Sequence, residues 1–261
     1  MMNIETINAL TSRVLMAQDS ATTITKLTDE FPSMTMADSY DIQDELCRRW
    51  VARGDRITGM KAGLTSRAKM LQMGVDEPSF GFLTSAMACP ESGKIQIDEL
   101  VHPRVEAEIG FVLKREIGGD HLSIDDVMAA TDFVIPAVEI IDSRYEKFKF
   151  DLISVIADNG SSSRYVTGGR PMDPRNLDLC SIGVVIECNG DIEELGASAA
   201  VLDHPANSII MLAAHLHSRG ARLPAGQLIL TGGITAAVAV QKGDVINARF
   251  QNMGSVSFRF V

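Results

Sequence analysis

Glu106 and Glu108 stand two residues apart in His102–Gly110, HPRVEAEIG, directly before the apolar run Phe111-Val112-Leu113. Side chains two apart on a strand share a face. The spacing therefore predicts two like charges side by side on a surface that its neighbours draw into the core. Such a pair repels and resists desolvation. A third carboxylate, Glu139, lies in VIPAVEIID between Ala137-Val138 and Ile140-Ile141, and an unpaired carboxylate buried there would be costly. Three glutamates on two neighbouring strands, without His or Cys, form an all-oxygen set suited to a hard cation, Mg2+ or Mn2+. A cation held this way keeps positions open for water and a bidentate substrate, and can polarise a carbonyl as a Lewis acid. The alternative is that each glutamate pairs with a Lys or Arg or faces solvent. Spacing by itself leaves both readings open.

Lys61 lies in GMKAG, an apolar stretch flanked by glycines. It is a candidate for hydrogen bonding or proton transfer at a substrate oxygen, against the plainer reading of a surface lysine. Other chemistries find less support. The five histidines show no ligand spacing, and His215 and His217 fall on different helix faces. TGGITAAV lacks the lysine of a phosphate loop, and Ser161–Ser163 do not form a serine-nucleophile elbow.

These residues need a scaffold, and the patterning supplies one. Ile4, Ile7, Leu10, Val14 and Leu15 fall at helical spacing, as do Ile42, Leu46 and Trp50 between a cap expected at Asp38 and Gly54. SRAKMLQMG predicts a short helix from Ser66 to Gly74. Arg104–Lys114 and Val134–Ile141 read as strands, with Pro136 marking an irregularity or an edge. Ser123–Asp126 opens a helix between them with an Asp-type capping box. Val184–Glu187 and Ile192–Leu195 flank Asn189-Gly190, a hairpin signal. Pro205–Arg219 reads as a helix, and Leu228–Thr231, Val245–Gln251 and Ser255–Val261 as strands. The class is α+β, a helical start followed by a mostly antiparallel β body, with Gly-rich turns that favour a curled sheet or roll.

The chain has 261 residues, 46% hydrophobic and 22% charged, enough for a substantial core. A net charge of -10 makes nucleic acid and anionic membranes poor partners. Cys47, Cys89, Cys180 and Cys188 form no CxxC pair and no disulfide framework. With no basic-then-apolar leader pattern at the start, they lead to the expectation of a cytoplasmic protein with reduced thiols.

Four long segments carry a resemblance: GMKAGLTSRAKMLQMGVDEPSFGFL from Gly59, HPRVEAEIGFVLK from His102, VIPAVEIIDSRYEKFKFDLISVIADNGSSSRYVTGG from Val134 and LTGGITAAVAVQKGD from Leu230. Together they resemble the hydratase/decarboxylase branch of the fumarylacetoacetate-hydrolase-like fold, used in meta-cleavage degradation of aromatic compounds. The resemblance implies a mixed curled-sheet catalytic domain over 57–261 behind a helical segment 1–56. It implies Glu106, Glu108 and Glu139 as ligands of Mg2+ (Mn2+ as a substitute), with no organic cofactor, and Lys61 as the catalytic lysine. It also implies substrate contacts at Leu64, Asp158, Ser161, Arg164 and Gly233. Arg164 has two readings, a guide for the dicarboxylate at the rim or a salt bridge on the outside of its turn, and a decarboxylase gains from an apolar wall that Ile234, Ala236, Ala237 and Val238 could provide. SSSRYVTGG and TGGITAAVAV are similar to the decarboxylase pattern. The implied reaction is loss of CO2 from the 2-oxo dicarboxylate 2-oxo-3-hexenedioate to give 2-hydroxypenta-2,4-dienoate. Hydration of that dienoate is the alternative, and a non-catalytic partner subunit a third reading. The implied partners are the small-molecule substrate, a dienoate hydratase and further copies of the chain.

Overall fold

The computed structural model describes residues 1–67, 70–71 and 78–261. Most of the short helix expected over Ser66–Gly74 lies outside them. The chain opens with helices α1 (Ile4–Asp19), α2 (Leu27–Glu30) and α3 (Met36–Ala52). Asn3 caps α1 by accepting the Thr6 amide at 2.8 Å. The cap of α3 is Thr35, and Asp38 is the reciprocal partner of that capping box. The expected cap at Asp38 is therefore three residues late: its carboxylate reaches back to the Thr35 amide at 2.9 Å.

The strands are β1 (Ile57–Gly63), β2 (Ser79–Thr84), β3 (Ala88–Cys89), β4 (Lys94–Ile95), β5 (Pro103–Leu113), β6 (Thr131–Asp142), β7 (Ser162–Thr167), β8 (Gly183–Cys188), β9 (Asp191–Ala197), β10 (Leu228–Leu230), β11 (Val238–Ala239), β12 (Val245–Phe250) and β13 (Gly254–Phe260). They form two sheets. The larger has the order β2-β1-β10-β5-β6-β7-β3, with β11 also on β5; the smaller has the order β4-β13-β12-β8-β9. Most pairings are antiparallel, while β1/β10, β3/β7 and β4/β13 are parallel. Asn189 and Gly190 both have positive φ at the β8–β9 turn, as the Asn-Gly signal requires.

The long pair β5/β6 is the spine of the larger sheet. Its two strands, joined through the helix Ile124–Ala130, lie side by side and antiparallel. Pro136 does not put β6 at an edge, because β5 and β7 flank it. The β7 ladder ends at Ala137↔Thr167, and the Pro136 carbonyl still accepts from Gly168 at 3.2 Å. A strand residue points its N and C=O to the same side, so the missing proline N–H falls just past the regular ladder.

Alternation along β5 divides the core. Val105, Ala107, Ile109 and Phe111 enter an apolar cluster shared with the smaller sheet and the helix Ala206–Ser218. The opposite face carries Glu106 and Glu108. Ala137, Tyr165 and Leu230 on that face pack with Leu10, Val14, Leu46 and Trp50 of the helical layer. The sheet curls around this face. Tyr165 on β7 and Thr58 on β1 meet through their hydroxyls at 3.0 Å, although β10, β5 and β6 lie between their strands.

A buried ion pair fastens the return from β6 to β7. Arg144 Nε donates to Asp158 Oδ1 at 2.5 Å, its Nη2 donates to the Asp158 carbonyl at 2.7 Å, and its Nη1 donates to the Asp142 carbonyl. The two side chains are 2% and 0% exposed. Removing one partner leaves a buried charge without its counter-ion. Arg144→Ala is thus expected to lower unfolding stability by about 3–5 kcal/mol, read by urea denaturation. A loss below about 1 kcal/mol, the scale of a surface pair, would show that the clamp contributes little.

Candidate active site

Glu106 and Glu139 are directly opposed in the β5/β6 register, and Glu108 is the next residue along β5 on the same face. One carboxylate oxygen from each lies within 4.8 Å of the other two. Glu108 and Glu139 are 0% exposed and Glu106 8%. Burial, together with the charges of Glu139 and Glu106, holds the Glu108 carboxyl well above the usual carboxylate range; Lys61 and the Gly232 amide oppose this. Glu108 Oε1 and Glu139 Oε1 are buried and have no hydrogen-bond partner among the described residues. Buried polar atoms are rarely left unpaired. Three converging carboxylates with orphaned oxygens and no His or Cys fit a hard cation, which would occupy those oxygens and neutralise the repulsion.

Lys61 reaches the cluster from β1. Its Nζ donates to Glu139 Oε2 at 3.1 Å and to the Gly160 carbonyl at 2.9 Å, and the side chain is 3% exposed. On a flat sheet β1 and β6, three steps apart, would be separated by roughly 14 Å. The curl closes that gap.

Backbone at close quarters completes the setting. The Gly232 amide donates to Glu108 Oε2 at 2.6 Å. A Cβ on Gly233 would come 2.8 Å from the Glu106 carboxyl carbon, and one on Gly160 would come 2.8 Å from Lys61 Cε. Only glycine lets these segments approach so closely. The Gly160 turn is fixed by its neighbour Asn159, whose side chain accepts from Phe82 N at 2.8 Å and donates to Phe82 O at 2.9 Å. Gln43 of α3 donates to Phe80 O at 2.8 Å and Ile156 O at 3.0 Å, tying β2 to the helix Leu152–Ala157 before that turn. Asn159 and Gly160 belong to the turn Ala157–Ser162 that the resemblance places beside the substrate, whereas nothing in the sequence points to Gly232 or Gln43. Only the long-range curl reveals their parts.

The structure brings together Lys61, Glu106, Glu108, Glu139 and Gly233. Leu64 follows β1 with φ 58 and is half-buried, and Ser161 follows Gly160. Asp158 and Arg164 are both engaged by other groups of the protein. Both Asp158 oxygens are used internally, by Arg144 and by Ser161 Oγ at 3.3 Å. Burial lifts the Asp158 carboxyl to about 6, with Arg144 opposing. Arg164 pairs with Ile140 in the register, whereas Tyr165 pairs with Glu139. Alternation therefore puts Arg164 on the other face, where Nη2 donates to Glu99 at 2.9 Å. The expected wall changes too: Ile234 and Val238 pack in the core behind the sheet, and Ala236 is exposed. A cleft of ≈ 870 Å³ beside Trp50, Arg53 and Arg164 includes none of the three glutamates and not Lys61, so it is not the place where this chemistry would occur.

The curled sheet and its buried carboxylates define a known class. Residues 56–261 match the fumarylacetoacetate (FAA) hydrolase C-terminal family, and the chain belongs to it. Over 260 residues it is 54% identical to a 4-oxalocrotonate decarboxylase of Pseudomonas putida, covering 100% of this chain and 98% of the relative. It is 40% identical over 244 residues to a 2-keto-4-pentenoate hydratase of Paraburkholderia xenovorans (strain LB400), covering 94% and 91%. The structure of 4-oxalocrotonate decarboxylase from Pseudomonas putida G7, complexed with magnesium and adipate, superposes with a TM-score of 0.98 at 51% identity, covering 100% of this chain and 99% of that one.

The crowding of charge generates a two-sided expectation for Glu108→Gln. With chelator present the variant is expected to be more stable than the wild type, by about 1–3 kcal/mol, because a like charge leaves a buried site while the Gly232 bond keeps its acceptor. With Mg2+ at about 100 times the wild-type Kd, the wild type gains about 2.7 kcal/mol and the variant gains nothing. Thermal melts in chelator and in Mg2+ read both effects. Equal melts in chelator would mean that the carboxylates do not strain the metal-free site.

Proposed function

We propose that this chain is a divalent-metal-dependent carboxy-lyase that converts 2-oxo-3-hexenedioate (4-oxalocrotonate) into 2-hydroxypenta-2,4-dienoate and CO2. The observation that carries the reading is the buried Glu106/Glu108/Glu139 cluster with Lys61 bonded into it, in a chain 54% identical along its length to a decarboxylase of that substrate. Glu106, Glu108 and Glu139 would hold Mg2+, with Mn2+ as a substitute. When bound, the cation supplies Lewis-acid polarisation of the substrate's 2-oxo group.

The residues supply the rest. The ammonium of Lys61 has three N–H donors, and Glu139 and Gly160 take two of them. The third is available to the substrate oxygen at C2. As the bond from C5 to the C6 carboxylate breaks, its electrons form the C4–C5 double bond. The former C3–C4 pair moves to C2–C3, and charge collects on the C2 oxygen. A donor aimed at that oxygen stabilises the transition state more than the ground state. The Glu139 and Gly160 bonds hold the Lys61 Nζ in place so that little reorganisation is needed. Ser161, Leu64 and Gly233 would shape the walls around the reacting chain. Burial of the cluster keeps bulk water from the carbon chain once CO2 leaves.

The product is an enol, which ketonises in water. A complex with a dienoate hydratase would pass this enol on before it ketonises, and the reading includes that partner together with further copies of this chain. Free thiols at Cys47, Cys89, Cys180 and Cys188 suit a reducing, cytoplasmic setting. No helix among the described residues is long and apolar enough to cross a membrane.

Purified protein given 2-oxo-3-hexenedioate and Mg2+ is expected to release CO2 in step with dienol formation, and to hydrate 2-hydroxypenta-2,4-dienoate negligibly. Lys61→Ala is expected to lower kcat by roughly 10²-fold or more while retaining Mg2+ binding. Efficient hydration without CO2 release would replace this reading with the hydratase. Near-normal turnover by Lys61→Ala would remove the lysine from the reaction.

A further inference from the structure

The proposed substrate has a carboxylate at each end, and the cluster with Lys61 accounts for one end only. We infer that Arg104 receives the distal carboxylate and sets the preference for a dicarboxylate. The inference rests on the functional reading above.

Arg104 is two residues before Glu106 on β5, on the same face by alternation. It is half-buried, one step toward the strand's start from the metal-type cluster. Its guanidinium lies over the Phe148 ring, 4.4 Å from the centroid. Among the described residues it enters no ion pair, and it is not drawn to Glu106. Stacking on a ring uses the π face of a guanidinium and leaves its in-plane N–H donors free. Those donors match a carboxylate, which accepts two parallel bonds.

The spacing fits the substrate. Residues i and i+2 on a strand are about 6.7 Å apart. In an extended six-carbon chain C2 and C6 are separated by four carbon–carbon bonds, roughly 5 Å. A chain whose C1–C2 end sits at the cluster and which runs along β5 therefore brings its C6 carboxylate to Arg104. Other described cations are committed or misplaced: Lys61 to Glu139 and Gly160, Arg144 to Asp158, and Arg164 to Glu99 on the other face. Among the described residues the Arg104 cation over the Phe148 ring has no counter-ion, and it offers positive charge in a chain whose net charge is -10. Pairing with Arg104 adds to the binding of the whole substrate, so its effect falls on affinity more than on the rate of CO2 loss.

Adipate and hexanoate have equal length and differ in the second carboxylate, so their binding to the Mg2+-loaded protein isolates the distal contact. Wild type is expected to bind adipate more tightly. Arg104→Gln is expected to lose about tenfold or more in adipate affinity, equivalent to about 1.4 kcal/mol, while its affinities for hexanoate and Mg2+ hold. Arg104→Lys is expected to retain part of the preference. Three results would overturn the inference: no adipate preference in the wild type, an unchanged adipate-to-hexanoate ratio in Arg104→Gln, or an equal loss of both ligands and Mg2+ in both variants, the mark of a packing role. CO2 release by the wild type is measured alongside. Its absence removes the decarboxylase reading, whereas CO2 release with an unchanged ratio removes only the role of Arg104.

Discussion

The contact between Lys61 and Glu139 is the closure on which the rest of the structure depends. It spans β1 and β6 across the inside of the curled sheet. Three carboxylates on one face of β5 and β6 repel each other, and burial magnifies the repulsion. Lys61 offsets part of that charge at Glu139. The oxygens of Glu108 and Glu139 that have no hydrogen-bond partner among the described residues mark where a cation would sit. The fold accepts this instability because the same unsatisfied oxygens give the site its grip on a cation. Features that are poor for stability commonly gather where function requires them.

Around that contact the protein has built rigid support from neutral groups. Gly160 and Gly232 offer a carbonyl and an amide at distances that a side chain would block. Asn159 and Gln43 hold these segments through backbone atoms of Phe82, Phe80 and Ile156. The Arg144–Asp158 pair fixes the chain between β6 and β7. None of these groups needs to touch a substrate. Their effect is to place Lys61 Nζ, and placement within a fraction of an ångström decides how much an aimed donor contributes. The helical layer takes part through Gln43 and through the apolar packing that backs the site's face.

Local rules made much of this legible. The two-residue spacing of Glu106 and Glu108, and Glu139 in an apolar run, pointed to one face and a cation. The Ser123–Asp126 capping box and the Asn189-Gly190 turn are complete within a few residues, and both stand as read. What depended on distant pairing was hidden. Nothing near Lys61 shows that β1 will pair with β10, and so nothing local shows that its amine will meet Glu139. Arg164 looked like a rim residue because a one-residue change of parity reverses the face, and the irregular step between Ile140 and Ile141 cannot be read from SSSRY. Ile234 and Val238 looked like a pocket wall for a similar reason: the segment after β10 bends around Glu106 and Glu108 before β11 pairs with β5. Arg104 stands in HPRVEAEIG, but only the fold shows that it has no counter-ion among the described residues.

The central claim is that the larger sheet curls around one cation. Anomalous diffraction from crystals grown with Mn2+ tests this most directly, because the signal comes from the ion alone. The account predicts a single strong peak bounded by Glu106, Glu108 and Glu139, with Lys61 still bonded to Glu139. Full occupancy of Mn2+ elsewhere on the chain with no peak inside the curl, or a cluster satisfied only by protein donors in the presence of excess Mn2+, would contradict it.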